Sequence, residues 1–123
     1  MKFNPITLDD IYEARQVIKP VLKPTNLIAS KKYNNIYFKP ENFQTTGSFK
    51  SRGAYYKISK LSNEEKQKGV IACSAGNHAQ GVALACKELG IDSKIYMPTT
   101  APDSKVNNTK SYGATVVLEG LML

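Results

Sequence analysis

The 123 residues, 41% hydrophobic and 22% charged, suffice for one domain with a real core and fall short of two ordinary ones. A formal charge of +7 raises nucleic acid as a partner, but fifteen of the 17 basic residues are lysines scattered along the chain, without the arginine-bearing stripe such a surface needs. No apolar run approaches bilayer length and the opening Met1-Lys2-Phe3-Asn4-Pro5 has no apolar signal region, so the reading is a cytoplasmic protein with neither membrane nor nucleic acid among its partners.

Thr7 is placed to cap a first helix, with Asp9 and Asp10 in its first turn and Ile11, Ala14, Val17 and Ile18 at helical spacing. Pro20 and Pro24 end it, and the chain runs extended through Leu27. The β-forming stretch Asn35 to Lys39 predicts a strand closed by Pro40. A loop from Glu41 to Thr46 then delivers Ser48 as the cap of a helix over Phe49 to about Leu61. Ser62-Asn63-Glu64-Glu65 is a capping-box pattern for a short helix ended by Gly69.

From Val70 the rhythm changes to strand, helix, strand, helix, strand. Val70 to Cys73 is a short apolar strand, and His78 to Leu89 a helix with Ala79, Val82, Ala83 and Cys86 on one face and Gly90 as its left-handed terminator. Lys94 to Met97, a helix over Asp103 to Tyr112 closed by Gly113, and Thr115 to Leu118 complete the series. Such alternation predicts an α/β fold with a parallel sheet, right-handed crossovers and ligands at the carboxyl ends of the strands. The loop Ser74 to Asn77 lies at one of those ends. Cys73 and Cys86 lack metal-type spacing and read as free, small core residues, so no metal site is expected.

Two stretches carry chemistry. In Thr46-Gly47-Ser48-Phe49-Lys50-Ser51-Arg52-Gly53-Ala54 a lysine stands at the threshold of a helix, beside an aromatic ring and among small residues. A lysine that forms an imine with an aldehyde must be held in one place and partly desolvated. In Cys73-Ser74-Ala75-Gly76-Asn77-His78-Ala79-Gln80-Gly81 small residues open an amphipathic helix, whose free N–H groups and positive dipole end suit a carboxylate or phosphate.

Taken together, Ser-Phe-Lys-x-Arg-Gly-Ala at 48–54 and Ser-Ala-Gly-Asn-His-Ala-Gln-Gly at 74–81 resemble the threonine/serine dehydratases, pyridoxal-phosphate enzymes of the tryptophan-synthase-β-like fold (fold-type II). The resemblance runs from about Asp9 to Leu118. It implies a three-layer α/β architecture with a parallel sheet, incomplete in this chain: residues 1–69 are an arm of the larger domain and 70–123 most of the smaller. It also implies the roles. Lys50 is the catalytic Schiff-base lysine, Phe49 packs on the pyridine ring, and Asn77 donates to the ring's phenolic oxygen. Ser74, Ala75, Gly76, Asn77 and His78 hold the substrate carboxylate. The implied reaction is loss of water and ammonia from L-threonine or L-serine, within amino-acid metabolism such as isoleucine biosynthesis, in a homo-oligomeric protein.

Each residue has a plainer reading beside this one. Taken alone, Lys50 is a surface lysine, Phe49 a core residue, Asn77 a helix cap, His78 a first-turn residue and Arg52 half of an ion pair. Where the family usually carries Thr-Pro-Leu, this chain has Pro24-Thr25-Asn26-Leu27. Cysteine synthases tend to have Ser-Val-Lys-Asp-Arg around the lysine, which this chain lacks, whereas serine racemase shares both motifs and is the nearest alternative. The family's glycine-rich phosphate loop has no counterpart among the eight isolated glycines, and the chain stops just after a strand, at Leu121-Met122-Leu123. It therefore reads as an N-terminal fragment, inactive on its own, with a non-catalytic segment that self-associates or binds pyridoxal phosphate weakly as the remaining alternative.

Overall fold

In the computed structural model, which describes residues 4–121, helix α1 (Leu8–Ile18) begins where predicted. Met1, Lys2, Phe3, Met122 and Leu123, which enter the readings of the two termini, lie outside the described residues. The Thr7 hydroxyl accepts from the Asp10 N–H at 3.3 Å and the Asp10 carboxylate accepts from the Thr7 N–H at 2.7 Å, a reciprocal capping box. The predicted strand over Asn35 to Lys39 shortens to β2 (Tyr37–Phe38), because Asn35 turns left-handed at φ 61° and leaves the extended region. Its antiparallel partner β1 (Ile28–Ala29) was not anticipated; two residues are too few to print a period on the sequence.

A 3₁₀ turn over Glu41–Phe43 leads to α2 (Lys50–Ser59), which starts one residue later and ends two residues earlier than expected. Ser48 is not its cap residue: Phe49 holds that position with helical dihedrals, and the Ser48 hydroxyl only accepts a long 3.4 Å bond from the Lys50 N–H. Helix α3 (Asn63–Lys68) has the capping box that Ser62 and Glu65 predict, and Gly69 ends it at φ 80°.

The strand–helix alternation is as read. Strands β3 (Val70–Cys73), β4 (Ser93–Met97) and β5 (Thr115–Leu118) form a parallel sheet in that order, with α4 (Asn77–Leu89) and α5 (Asp103–Ser111) as the crossovers. Helix α4 starts at Asn77, one residue before the predicted His78, and ends on Gly90 in the left-handed conformation. Ala79, Val82, Ala83 and Cys86 are all buried, on the face the periodicity assigned to them. Burial raises the Cys86 thiol to about 11, so it stays protonated and acts as a small apolar residue.

One face of the sheet is covered. Ile95 and Met97 of β4 pack with Val82, Ala83 and Cys86 of α4, Val106 of α5, and Ala54 and Ile58 of α2 in a single core. The other face carries Ile71, Cys73, Lys94 and Tyr96, and Ile71 is 73% exposed. The third layer is thus missing among the described residues, as an incomplete sheet requires. Cys73, read as a core thiol, is exposed because its side chain falls on this bare face. No described helix is long and apolar enough to cross a membrane.

Candidate active site

Lys50 is the first residue of α2, and the approach to it is built from short polar side chains. Gln44, Thr46, Ser48 and Ser51 are all buried. The Gln44 amide donates to the Lys23 carbonyl at 2.8 Å, and Gly47 turns the chain at φ 71° with its N–H on the Gln44 carbonyl at 2.7 Å. The Thr46 and Ser51 hydroxyls both face the Ser48 carbonyl, at 3.4 and 3.5 Å. These bonds fix the entry to the helix, and with it the base of the lysine side chain.

The Lys50 amine itself is not desolvated by this chain. The residue is exposed, and its Nζ sits 5.1 Å from the centre of the Phe49 ring, which is itself 59% exposed. The expected partial desolvation has to come from something laid over Lys50 and Phe49. Among the described residues, Nζ has no carboxylate partner and donates no hydrogen bond.

Arg52, two residues on, is paired elsewhere. Its Nε and Nη2 donate to the two oxygens of Glu41 at 2.7 and 2.8 Å, and the Thr25 hydroxyl donates to the same carboxylate at 2.5 Å. The guanidinium, aided by the Thr25 hydroxyl and the nearby Lys39, holds the Glu41 carboxyl down to about 2 although partial burial opposes it. Arg52 is therefore an ion-pair residue that clamps the 3₁₀ turn to α2. The sequence offered no signal for Glu41 as its partner.

The Ser74 to Asn77 loop leaves the carboxyl end of β3. The Ser74 N–H extends the sheet ladder to the Tyr96 carbonyl at 3.0 Å. Its hydroxyl oxygen accepts from the N–H groups of Gly76 and Ala79, at 3.3 and 3.2 Å, which leaves the hydroxyl hydrogen to donate outward. The amides of Ala75, Asn77 and His78 have no acceptor among the described residues. Three N–H groups and one O–H thus stand ready at a helix N-terminus. Gly76 contributes differently, since its own N–H is occupied. His78 lies exposed in the first turn of α4, and the Asn77 side-chain oxygen accepts from the Lys105 ammonium at 2.9 Å.

What brings the two stretches together is Gly81. A Cβ added there would lie 3.0 Å from the Lys50 carbonyl carbon, 3.1 Å from its oxygen and 3.1 Å from the Ser51 nitrogen. All three are backbone atoms, so a side chain at this point would force the two helices apart by a few tenths of an ångström, and glycine lets α2 and α4 meet without that shift. Gly81 is four residues, about one helical turn, beyond Asn77. The backbone of Lys50 is thereby pinned about 6 Å along α4 from the open amides. The sequence displayed Gly81 within the second motif, but a close approach between helices leaves no mark on periodicity.

A groove of about 400 Å³ lies elsewhere, among Lys68, Gly69, Asp92, Lys94 and Thr115 at the amino ends of the strands. Ligands of parallel sheets bind at the opposite end, where the loop is. The donor set at that loop suits pyridoxal phosphate: an unpaired primary amine, an exposed ring beside it, an amide with an unpartnered Nδ2, and open space beside Gly47 and Gly53.

Comparison with known proteins agrees with this geometry. Residues 18–120 match the family of pyridoxal-phosphate dependent enzymes. The chain belongs to that family. It is 55% identical over 121 residues to L-threonine dehydratase catabolic TdcB of Staphylococcus aureus strain N315, covering 94% of this chain and 35% of the relative. Among solved structures, maize serine racemase superposes with a TM-score of 0.91 at 38% identity, over 98% of this chain and 38% of that one. The processed form of threonine deaminase isoform 2 from Solanum lycopersicum gives 0.82 at 40% identity, over 98% and 38%. The chain therefore spans about a third of the length of the relatives it matches, and its α/β fold with a parallel sheet is that of the fold-type II pyridoxal-phosphate enzymes.

Proposed function

We propose that the protein to which these residues belong is a dehydratase that converts L-threonine to 2-oxobutyrate and ammonia, with L-serine as a second substrate. The observation that supports this reading is the Gly81 contact, which puts the backbone of Lys50, in the first motif, against the helix that the second motif opens. When bound, pyridoxal phosphate supplies an electron sink for the charge that develops at the substrate α-carbon. Lys50 would hold the cofactor through Nζ at its aldehyde carbon, and the same amine would serve as the base for the substrate α-proton. Phe49 packs beside the pyridine ring, and Asn77 Nδ2 donates to the phenolic oxygen. The amides of Ala75, Asn77 and His78, with the Ser74 hydroxyl, grip the substrate carboxylate at the positive end of α4, while Gly76 gives the turn that exposes them. The β-hydroxyl leaves as water, and the enamine released takes up water to give the oxo acid and ammonia.

The 55% identity to a threonine dehydratase named as catabolic favours degradation over isoleucine biosynthesis as the setting. Serine racemisation is the second reading, favoured by the superposition on maize serine racemase. Product analysis separates them, since D-serine as the main product would displace the dehydratase reading. The bare sheet face with Ile71 supports a homo-oligomeric or otherwise covered state of the whole protein.

The direct test is covalent trapping. The chain is mixed with pyridoxal phosphate, reduced with borohydride and mapped by mass spectrometry. Selective modification of Lys50 among the fifteen lysines is expected. Modification scattered over many lysines would instead make these 123 residues a non-catalytic segment, with the activity dependent on the remaining length.

A further inference from the structure

Lys105 lies in the first half of α5, twenty-eight residues from Asn77, yet its ammonium donates to the Asn77 side-chain oxygen at 2.9 Å. An ammonium has only hydrogens to give, so the amide atom it meets has to be the oxygen. That contact fixes which way the Asn77 amide is turned. The oxygen faces α5, and Nδ2, with both of its hydrogens unpartnered among the described residues, faces away from it. The stem of Lys105 reaches Asn77 by crossing the loop: a Cβ built on Gly76 would lie 3.9 Å from Cδ and 4.0 Å from Cε of the lysine. No carboxylate pairs with Lys105 among the described residues, so the amide is its one polar side-chain partner there. The helix beneath it is anchored by Val106 and Thr109, both buried, and the Thr109 hydroxyl donates to the Lys105 carbonyl at 2.8 Å.

We propose that Lys105 is a positioning residue for the cofactor site: it straddles Gly76, holds the Asn77 amide by its oxygen, and so presents Nδ2 as a donor to the phenolic oxygen of pyridoxal phosphate. The proposal rests on the assignment of Asn77 to that oxygen. Without the lysine, the amide is free to rotate and to offer its oxygen instead, which repels a phenolate. A donor on the phenolate drains charge from it and weakens its hold on the proton of the neighbouring imine nitrogen. Losing the donor therefore raises the pH midpoint of the bound cofactor's absorbance.

Two measurements on Lys105→Met, Lys105→Arg and Asn77→Ala test this. In the cofactor-free chain, the NMR signals of the Asn77 side-chain amide are expected to move in Lys105→Met and to stay near the wild-type position in Lys105→Arg. Unchanged signals in Lys105→Met would overturn the contact itself. In the chain loaded with pyridoxal phosphate, Lys105→Met and Asn77→Ala are each expected to raise the absorbance midpoint, by about one pH unit for the loss of one donor. The double variant is expected to go no further than Asn77→Ala. Additive shifts, or a shift in Asn77→Ala alone, would overturn the positioning role. No shift in Asn77→Ala would remove the assignment of Asn77 to the phenolic oxygen, and with it the role of Lys105 at the cofactor, while the first measurement still decides the contact.

Discussion

The two ends of this chain are built on different principles. Helix α1 buries none of its eleven residues, whereas α4 buries eight in succession, from Ala79 to Cys86. The β3–β5 unit, joined by Ala54 and Ile58 of α2, closes a core around Ile95 and Met97, both fully buried. The arm before α2 leaves Ile6, Leu8, Ile11, Leu27 and Phe38 exposed and is held instead by directed polar contacts. These are the Arg52–Glu41 clamp, the Gln44 bond to Lys23, and the Tyr112 hydroxyl on the Thr45 carbonyl at 3.2 Å. Apolar burial stabilises one region, and hydrogen-bond geometry places the other. The site lies at their junction, so it inherits rigidity from α4 and placement from the loop before α2.

That contrast can be broken from either side. Truncation in the core should have the largest effect: Ile95→Ala is expected to cost about 2–5 kcal/mol in denaturant unfolding, as buried large-to-small changes do. Gly81→Val attacks the junction. Its side chain has to push Lys50 and Ser51 backbone away, at about 1–3 kcal/mol, and selective trapping of Lys50 should be lost along with stability. Preserved selectivity in Gly81→Val would show that the helix contact does not place the lysine.

Glu41→Gln probes the polar arm and should cost about 1–2 kcal/mol, allowing for the partial exposure of the pair. Folding lowers this carboxyl from 4.5 to about 2, so its contribution is complete above about 4.5 and is lost as pH falls towards about 2. The stability difference between wild type and Glu41→Gln should shrink across that window, and a difference that persists at the acid end would refute the clamp. The smallest effect is expected at Ile11→Ala, on a side chain that is 56% exposed: within about 0.5 kcal/mol in the chain alone. A larger loss there would mean that α1 packs in solution against something outside these residues.

Legibility in the sequence followed the same division. The β3–β5 unit was readable to within a residue at its ends, because an amphipathic helix and short apolar strands repeat with fixed periods and Gly90 and Gly113 end their elements through positive φ. The cap at Thr7 and the capping box at Ser62 were readable because a cap and its partner lie three residues apart. The arm was less legible. A two-residue strand pair has no period, and Asn35 in a left-handed turn cut short a stretch rich in β-formers. At the site, the motifs named Lys50, Ser74 and Asn77 but not what holds them.

By itself the sequence determined what is local or periodic: the parallel α/β alternation, the helix ends, and two motifs rich enough to place the chain among the pyridoxal-phosphate enzymes. Only the tertiary structure decided which partners meet across long separations. It paired Arg52 with Glu41, left Lys50 exposed, set Gly81 against the backbone of Lys50, and turned the Asn77 amide towards Lys105. The reason is physical. Periodicity and capping act within about one helical turn, whereas close packing and ion pairing depend on the crossing of elements whose relative position no local pattern encodes.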